Sequence, residues 1–311
     1  MNQSPSLAPA RPSRRAALTG SALVMLSSIA FSGKAVMAKL MYREGAEPIT
    51  VLALRMGFAL PVFLLAASLP ARDARPLSRR EWGAALSLGG VAYYLSAAFD
   101  FMGLRFISAG LERLILFTYP TLVVLMSGVV LRERIGRKQL LALGITYGGI
   151  ALVFRSELRS GSPSEHAFVG AGLVFASAIT YAAYLVGSTR YIRRLGAQRF
   201  TAVALSAASV STLLHFATTG QPLLGHPASI YGLGLAMALL ATVLPAFALA
   251  AGIQRIGPSV AAILGTIGPV STLFLAHWFL GEPISPMQLL GTALVLLGAT
   301  LVARPDRSAP A

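Results

Sequence analysis

The chain repeats itself at a spacing of 149 residues, and the repeating unit contains an odd number of membrane spans. Aligned without a gap, Ile107 to Val153 matches Ile256 to Val302 at Ile107/Ile256, Pro120/Pro269, Leu131/Leu280, Glu133/Glu282, Gln139/Gln288 and Gly149/Gly298, among others. An earlier stretch agrees in nearly the same register, with Gly20, Leu23, Val24, Ser27 and Ile29 facing Gly170, Leu173, Val174, Ser177 and Ile179. Two related halves are therefore fused in one polypeptide.

Both halves are built of long apolar runs. Hydrophobic residues make up 55% of the chain and charged residues only 12%, about half the share usual in soluble domains. Windows of ~20 apolar residues predict about ten helices, near 16–38, 49–69, 83–102, 107–131, 139–154, 167–189, 200–219, 231–252, 258–280 and 287–303. Segments such as Leu23–Ala30 and Leu289–Leu297 are apolar on every side. That excludes the alternation of a transmembrane β-barrel and leaves helices, which satisfy their own backbone in lipid. The fold expected is an all-α polytopic membrane protein of about ten transmembrane helices in two inverted five-helix repeats. Its parts are an N-terminal tail (1–15), a first repeat (16–154), a connecting loop (155–166), a second repeat (167–303) and a C-terminal tail (304–311). The basic, then apolar, start imitates a signal peptide. Because residues 20–31 have counterparts at 170–181, they are read as a retained first span.

Charge sets the orientation. With a cytoplasmic N-terminus, alternate loops on that side hold Arg11, Arg14, Arg15; Arg72, Arg75, Arg79, Arg80; Arg132, Arg134, Arg137, Lys138; Arg190, Arg193, Arg194, Arg199; Arg255; and Arg304, Arg307. The other side holds Lys39, Arg43, Arg105, Arg155 and Arg159. The positive-inside rule then places both termini in the cytoplasm. Inversion gives an independent check, since Arg132, Arg134, Arg137 and Lys138 become Gly281, Pro283, Pro286 and Met287 in the second half while Glu133 and Glu282 both persist. The net charge of +15 would suggest nucleic acid in a soluble protein. Here the cations flank membrane spans, so no nucleic-acid partner is expected.

Inverted-repeat carriers bind cargo near the midplane, where paired helices are interrupted by Gly or Pro. Pro120 and Pro269 form such a pair, and Gly265 and Gly268 precede the second. Glu112, Leu116 and Tyr119 fall on one helical face, and their counterparts are Ala261, Gly265 and Gly268. Five ionisable residues lie inside spans, namely Lys34, Arg55, Asp100, Glu112 and Arg113. Each charge in hydrocarbon costs ~2.5–3.5 kcal/mol on insertion scales, so they must pair or face water. The pairings expected are Asp100 with Arg113, and Glu112 with Arg55 or Lys34. A functional reading makes them a gate or substrate site, with a carboxylate holding a proton or an amine; a structural reading makes them an ion-pair clamp.

Weaker candidates are His215 and His277 near helix ends, and Tyr93, Tyr94, Tyr181 and Tyr184, which could line a cavity. Gly144 and Gly148 form a GxxxG pattern that points to close helix packing. Without cysteine, disulfides and thiolate metal sites are excluded.

The stretches Phe31–Arg55 (FSGKAVMAKLMYREGAEPITVLALR) and Tyr93–Pro120 (YYLSAAFDFMGLRFISAGLERLILFTYP), with the turn Leu280-Gly281-Glu282-Pro283, resemble the EamA-type branch of the drug/metabolite transporter superfamily. The resemblance covers Ala16 to Ala303. It implies a ten-helix carrier of the bacterial inner membrane, typically an exporter of amino acids or other small metabolites by alternating access. The expected partners are a small-molecule substrate and the lipid bilayer, with no cofactor and no metal; the repeat sets no oligomeric state. No phosphate-binding G-x-x-x-x-G-K-[ST] loop marks an ATP-driven pump, and no HExxH or GxSxG motif marks an enzyme. The competing reading is a channel-like or lipid-translocating protein without gradient coupling.

Overall fold

The computed structural model describes residues 14–69, 78–131, 137–159 and 165–303. Arg11, Arg72, Arg75, Arg132, Glu133, Arg134, Arg304 and Arg307, invoked above, lie outside them, as do nearly all of the two tails and part of the 155–166 loop. Among the described residues the protein is helical throughout. Nine helical stretches are long and apolar enough to cross a membrane, and a tenth apolar helix, Pro286–Leu301, is shorter.

In chain order the helices are α1 (Arg14–Arg43), α2 (Pro48–Ser68), α3 (Arg79–Ser87), α4 (Tyr94–Leu104), α5 (Ala109–Leu116), α6 (Tyr119–Leu131), α7 (Arg137–Arg159), α8 (Ala167–Leu195), α9 (Ala197–Thr218), α10 (Ala228–Ala238), α11 (Leu244–Ile256), α12 (Pro258–Gly265), α13 (Ile267–Leu280) and α14 (Pro286–Ala303). Ten spans result once α3–α4, α5–α6, α10–α11 and α12–α13 are each counted as one interrupted span. The interruptions occupy equivalent places in the two halves. A π-helical segment, Leu88–Tyr93, joins α3 to α4, and Leu239–Val243 joins α10 to α11. At Leu239–Val243 the wide turn is matched by Thr242, whose hydroxyl donates to the Met237 carbonyl five residues back at 3.0 Å. Pro245, which has no N–H to give, follows immediately.

The second pair of interruptions separates the helices outright. α5 ends at Leu116, and α6 begins at Tyr119 with Pro120 in its first turn, where a missing N–H costs no hydrogen bond. Likewise α12 ends at Gly265 and α13 begins at Ile267 with Pro269 in its first turn. The freed polar groups are met locally: the hydroxyls of Thr118 and Thr266 donate to the carbonyls of Ile115 and Ile263 at 2.7 and 2.6 Å.

The halves are related by a two-fold that extends to single contacts. α1 packs on α11 and α13 as α8 packs on α4 and α6, while α2 meets α9 and α7 meets α14 across the axis. Ser27 donates to the Pro245 carbonyl at 2.8 Å, and its counterpart Ser177 donates to the Ser96 carbonyl at 2.7 Å. A Cβ on Gly103 would lie 2.6 Å from the Gly170 carbonyl oxygen, and one on Gly252 would lie 3.0 Å from that of Gly20. Since each half contributes five spans, the second lies inverted relative to the first. Large apolar side chains such as Leu65, Leu214 and Trp278 stay exposed on the outside of the bundle, as expected where lipid is the solvent.

The GxxxG expectation needs correction. Gly144 and Gly148 face open space, with nothing within 4 Å of an added Cβ. The close crossing of α7 and α14 is made by the next glycine instead, where a Cβ on Gly149 would lie 2.7 Å from the Gly291 carbonyl oxygen and one on Gly291 would lie 2.6 Å from that of Gly149. Spacing finds small residues but not the face they occupy.

Candidate functional site

Lys34 sits on α1, Arg55 on α2, Asp100 on α4, and Glu112 and Arg113 on α5; all five are buried. The Lys34 ammonium bridges the two carboxylates. It is hydrogen-bonded to Asp100 Oδ2 and lies 2.9 Å from Glu112 Oε1. The Glu112–Lys34 pairing follows the expectation, whereas Asp100 pairs with Lys34 and not with Arg113. Helix packing decides this: α1, α4 and α5 meet one another, and Lys34 on α1 reaches the acids of both α4 and α5. Arg55 reaches across to the second half, where its Nε donates to Thr242 Oγ1 at 2.7 Å and its guanidinium carbon lies 5.3 Å from the centre of the Phe101 ring. The π-helical segment of the eighth span thus presents the hydroxyl that holds Arg55.

Asp100 Oδ1, Glu112 Oε2 and Arg113 Nε are buried with no hydrogen-bond partner among the described residues. Unsatisfied charged atoms in a low-dielectric interior are expensive, and the contacts with Lys34 leave these three atoms unmet. Arg113 takes part in none of the ion pairs among the described residues, which are Lys34–Asp100, Lys34–Glu112 and Arg105–Glu47. Its guanidinium stands 5.0 Å from the centre of the Phe31 ring and against Gly268, where an added Cβ would lie 2.5 Å from Nη2. At Gly268 the arginine fills the space that a side chain would need.

Because α5 stops at Leu116, Tyr119 does not share a face with Glu112 as the uninterrupted spacing implied. It starts α6 and turns to Tyr181 of α8, with ring centres 5.2 Å apart. Tyr181 stacks on Tyr184 at 6.0 Å, and Tyr93 meets Tyr184 edge-on at 5.4 Å. Three of the four tyrosines singled out from sequence therefore gather with Tyr119. The fourth, Tyr94, points elsewhere and bonds His215 Nδ1 at 2.7 Å. His277 Nδ1 bonds the Glu282 carbonyl at 2.8 Å, an end-of-helix contact. Gly265 lies on α12 facing Ser28, whose Oγ would be 3.7 Å from its Cβ.

A cavity of about 360 Å³ opens on the side of the bundle where α1 joins α2, lined by Lys39, Arg105, Ser108, Glu157, Glu282 and Gln288 among others. At its floor two carboxylates grip the start of α5. Glu157 accepts from the Ser108 N–H at 2.8 Å and from its hydroxyl at 2.6 Å, and Glu282 accepts from the N–H groups of Ala109 and Gly110 at 2.9 and 3.4 Å. From the sequence Glu282 stands out as a repeat position and as part of the Leu280–Pro283 turn, and Glu157 does not stand out. The signal available was Ser108, a helix-capping residue before an apolar run. Among the described residues no group of three or more His, Cys, Asp or Glu side chains is placed to hold a metal.

The profile of the EamA-like transporter family matches the chain twice, over residues 18–155 and 168–304. The chain belongs to the EamA-like transporter family. It is 31% identical over 289 residues to the uncharacterized transporter YcbK of Bacillus subtilis, covering 89% of this chain and 90% of that one. An uncharacterized transporter of Archaeoglobus fulgidus is 25% identical over 92% of this chain and 96% of its own. A crystal structure superposes with a TM-score of 0.59 at 18% identity, covering 94% of this chain and 96% of the other, and it supports the fold alone. The protein is thus a multi-pass membrane transporter. Within this EamA-like bundle the two-fold is broken at the site: the register that sets Ser27 on Ser177 sets Phe31 on Tyr181 and Lys34 on Tyr184, and Tyr119 corresponds to Gly268. The first half supplies all five charges, whereas each half gives two of the four gathered tyrosines.

Proposed function

We propose that this transporter is a secondary carrier of the inner (plasma) membrane that exports small metabolites, such as amino acids or related compounds, by alternating access. The observation that carries this reading is the buried cluster of Lys34, Asp100 and Glu112 with Arg113 beside it, set next to both helix breaks. Charges inside a membrane bundle are retained for function by default, and discontinuous helices at repeat-related places are where carriers bind cargo. In this reading Glu112, Arg113, Asp100, Arg55, Lys34 and Tyr119 form the substrate or coupling site. Pro120, Gly265, Gly268 and Pro269 let the half-helices tilt as the repeats, 16–154 and 167–303, rock against each other. Both termini are cytoplasmic by the positive-inside argument, so the cavity above α5 faces outward and the Glu157 and Glu282 contacts form the outer closure.

Screening metabolite release from cells that overexpress the protein nominates cargo; counterflow in proteoliposomes then tests the mechanism. A carrier gives saturable uptake and transient accumulation of label against unlabelled cargo in the lumen. Linear, non-saturating flux without counterflow would defeat the reading in favour of a channel.

A further inference from the structure

We propose that the cargo is an organic anion with a planar apolar body, its anionic group held by Arg113 and its body by the tyrosines around Tyr181. The inference rests on the carrier reading above and narrows its substrate class.

Charge arithmetic inside the bundle leads to it. Lys34, Arg55 and Arg113 face Asp100 and Glu112, so the cluster carries a net positive charge even with both carboxylates ionised. Lys34 takes both carboxylates, and Arg55 is held by Thr242 and Phe101. Both arginines lack an ion-pair partner among the described residues, but Arg55 Nε is satisfied by Thr242, whereas Arg113 is 9% exposed and its Nε has no partner, which makes Arg113 the cation open to an anion. An arginine that is buried and lacks a carboxylate is stable only if an anion or water meets its donors. A guanidinium suits a carboxylate or phosphate better than any other side chain does, because its donors form a planar fork. Asp100 and Glu112 each keep one oxygen without a partner, but both already face the Lys34 ammonium, so a second cation would enter beside a buried positive charge.

The surroundings supply the rest of the ligand. Tyr119 opens α6 just past the break that follows Arg113, its ring lies 5.2 Å from that of Tyr181, and Tyr181 continues into Tyr184 and Tyr93 by ring contacts of 6.0 and 6.3 Å. Flat aromatic walls beside one cation select a flat apolar body with one anionic end. Gly268 bounds the other side of Arg113, so the fork cannot swing toward α13 without backbone in its way.

Three probes that share a phenylethyl body separate the possibilities: 3-phenylpropionate (anion), phenylalanine (zwitterion) and phenethylamine (cation), each titrated against the purified full chain in detergent and read by calorimetry and Tm. The wild type is expected to bind 3-phenylpropionate, phenylalanine more weakly, and phenethylamine not at all. Arg113→Gln weakens the anion about tenfold or more, Arg113→Lys recovers part of the loss, and Tyr181→Ala weakens it roughly threefold to tenfold. Because the wild-type ranking needs no variant, misfolding of a mutant cannot hide the answer. Phenylalanine or phenethylamine binding as tightly as the anion, undiminished anion binding in a folded Arg113→Gln, or no binding of any probe would overturn the proposal. Saturable counterflow of an amine but not of 3-phenylpropionate would defeat it and leave the carrier standing, whereas linear flux with anion binding intact would do the reverse.

Discussion

The ammonium of Lys34 lies 2.9 Å from Oε1 of Glu112, and neither side chain reaches solvent. With Asp100 on the same ammonium, this lysine ties α1 to α4 and α5, three helices whose apolar faces alone would allow sliding.

Removing the cation takes from two buried carboxylates their direct ion-pair partner. Lys34→Met is expected to destabilise the protein by about 3–5 kcal/mol, the usual loss when one partner of a buried ion pair is deleted. Adding Asp100→Asn and Glu112→Gln to it should return most of that loss. Thermal melts followed by size-exclusion chromatography compare the two variants.

The α7–α14 crossing gives a sharper test of packing. Gly149→Ala and Gly291→Ala each force a methyl into backbone and should cost about 1–3 kcal/mol. Gly144→Ala and Gly148→Ala meet nothing within 4 Å and should be neutral or gain up to about 1 kcal/mol from helix propensity. A lowered Tm in all four would contradict the assigned face.

That contrast also shows what sequence can and cannot reveal. The duplicated helices were legible because hydrophobic length and repeat register are local properties of the chain, and Pro120 and Pro269 flagged the interrupted spans because a missing N–H is a local fact. Which acid Lys34 meets depends on how α1, α4 and α5 interleave, so the Asp100–Arg113 pairing failed while Glu112–Lys34 did not. The spacing puts Tyr119 on the face of Glu112 only if the helix continues through Phe117 and Thr118, and it stops there. The π-helical segments carry no proline or charge of their own, and the close approach of Gly89 to the backbone of Ala204, 2.0 Å from an added Cβ, is a tertiary fact.

Glu282 holds the start of α5 from another span and should behave as a positioning residue. Glu282→Ala frees the Ala109 and Gly110 donors and is expected to cost about 0.5–2 kcal/mol, as helix-cap losses do. Glu282→Gln keeps an acceptor and should cost less. Paired Tm and counterflow measurements on both variants check this, and equal stability of wild type and Glu282→Ala would remove the contact from the account.

Glu112→Gln and Arg113→Ala should slow counterflow about tenfold or more, equivalent to 1.4 kcal/mol of barrier, while surface expression stays at the wild-type level. Wild-type rates in both would relegate the cluster to packing.

The native chain has no cysteine, so single cysteines report sidedness without background. Glu44, before α2, and Gln198, in the first turn of α9, are exposed and follow the equivalent spans of the two halves. In intact bacterial cells a membrane-impermeant maleimide should label Glu44→Cys and reach Gln198→Cys only after permeabilisation. Labelling of both, or of neither, before permeabilisation would contradict two copies lying inverted around a shared path.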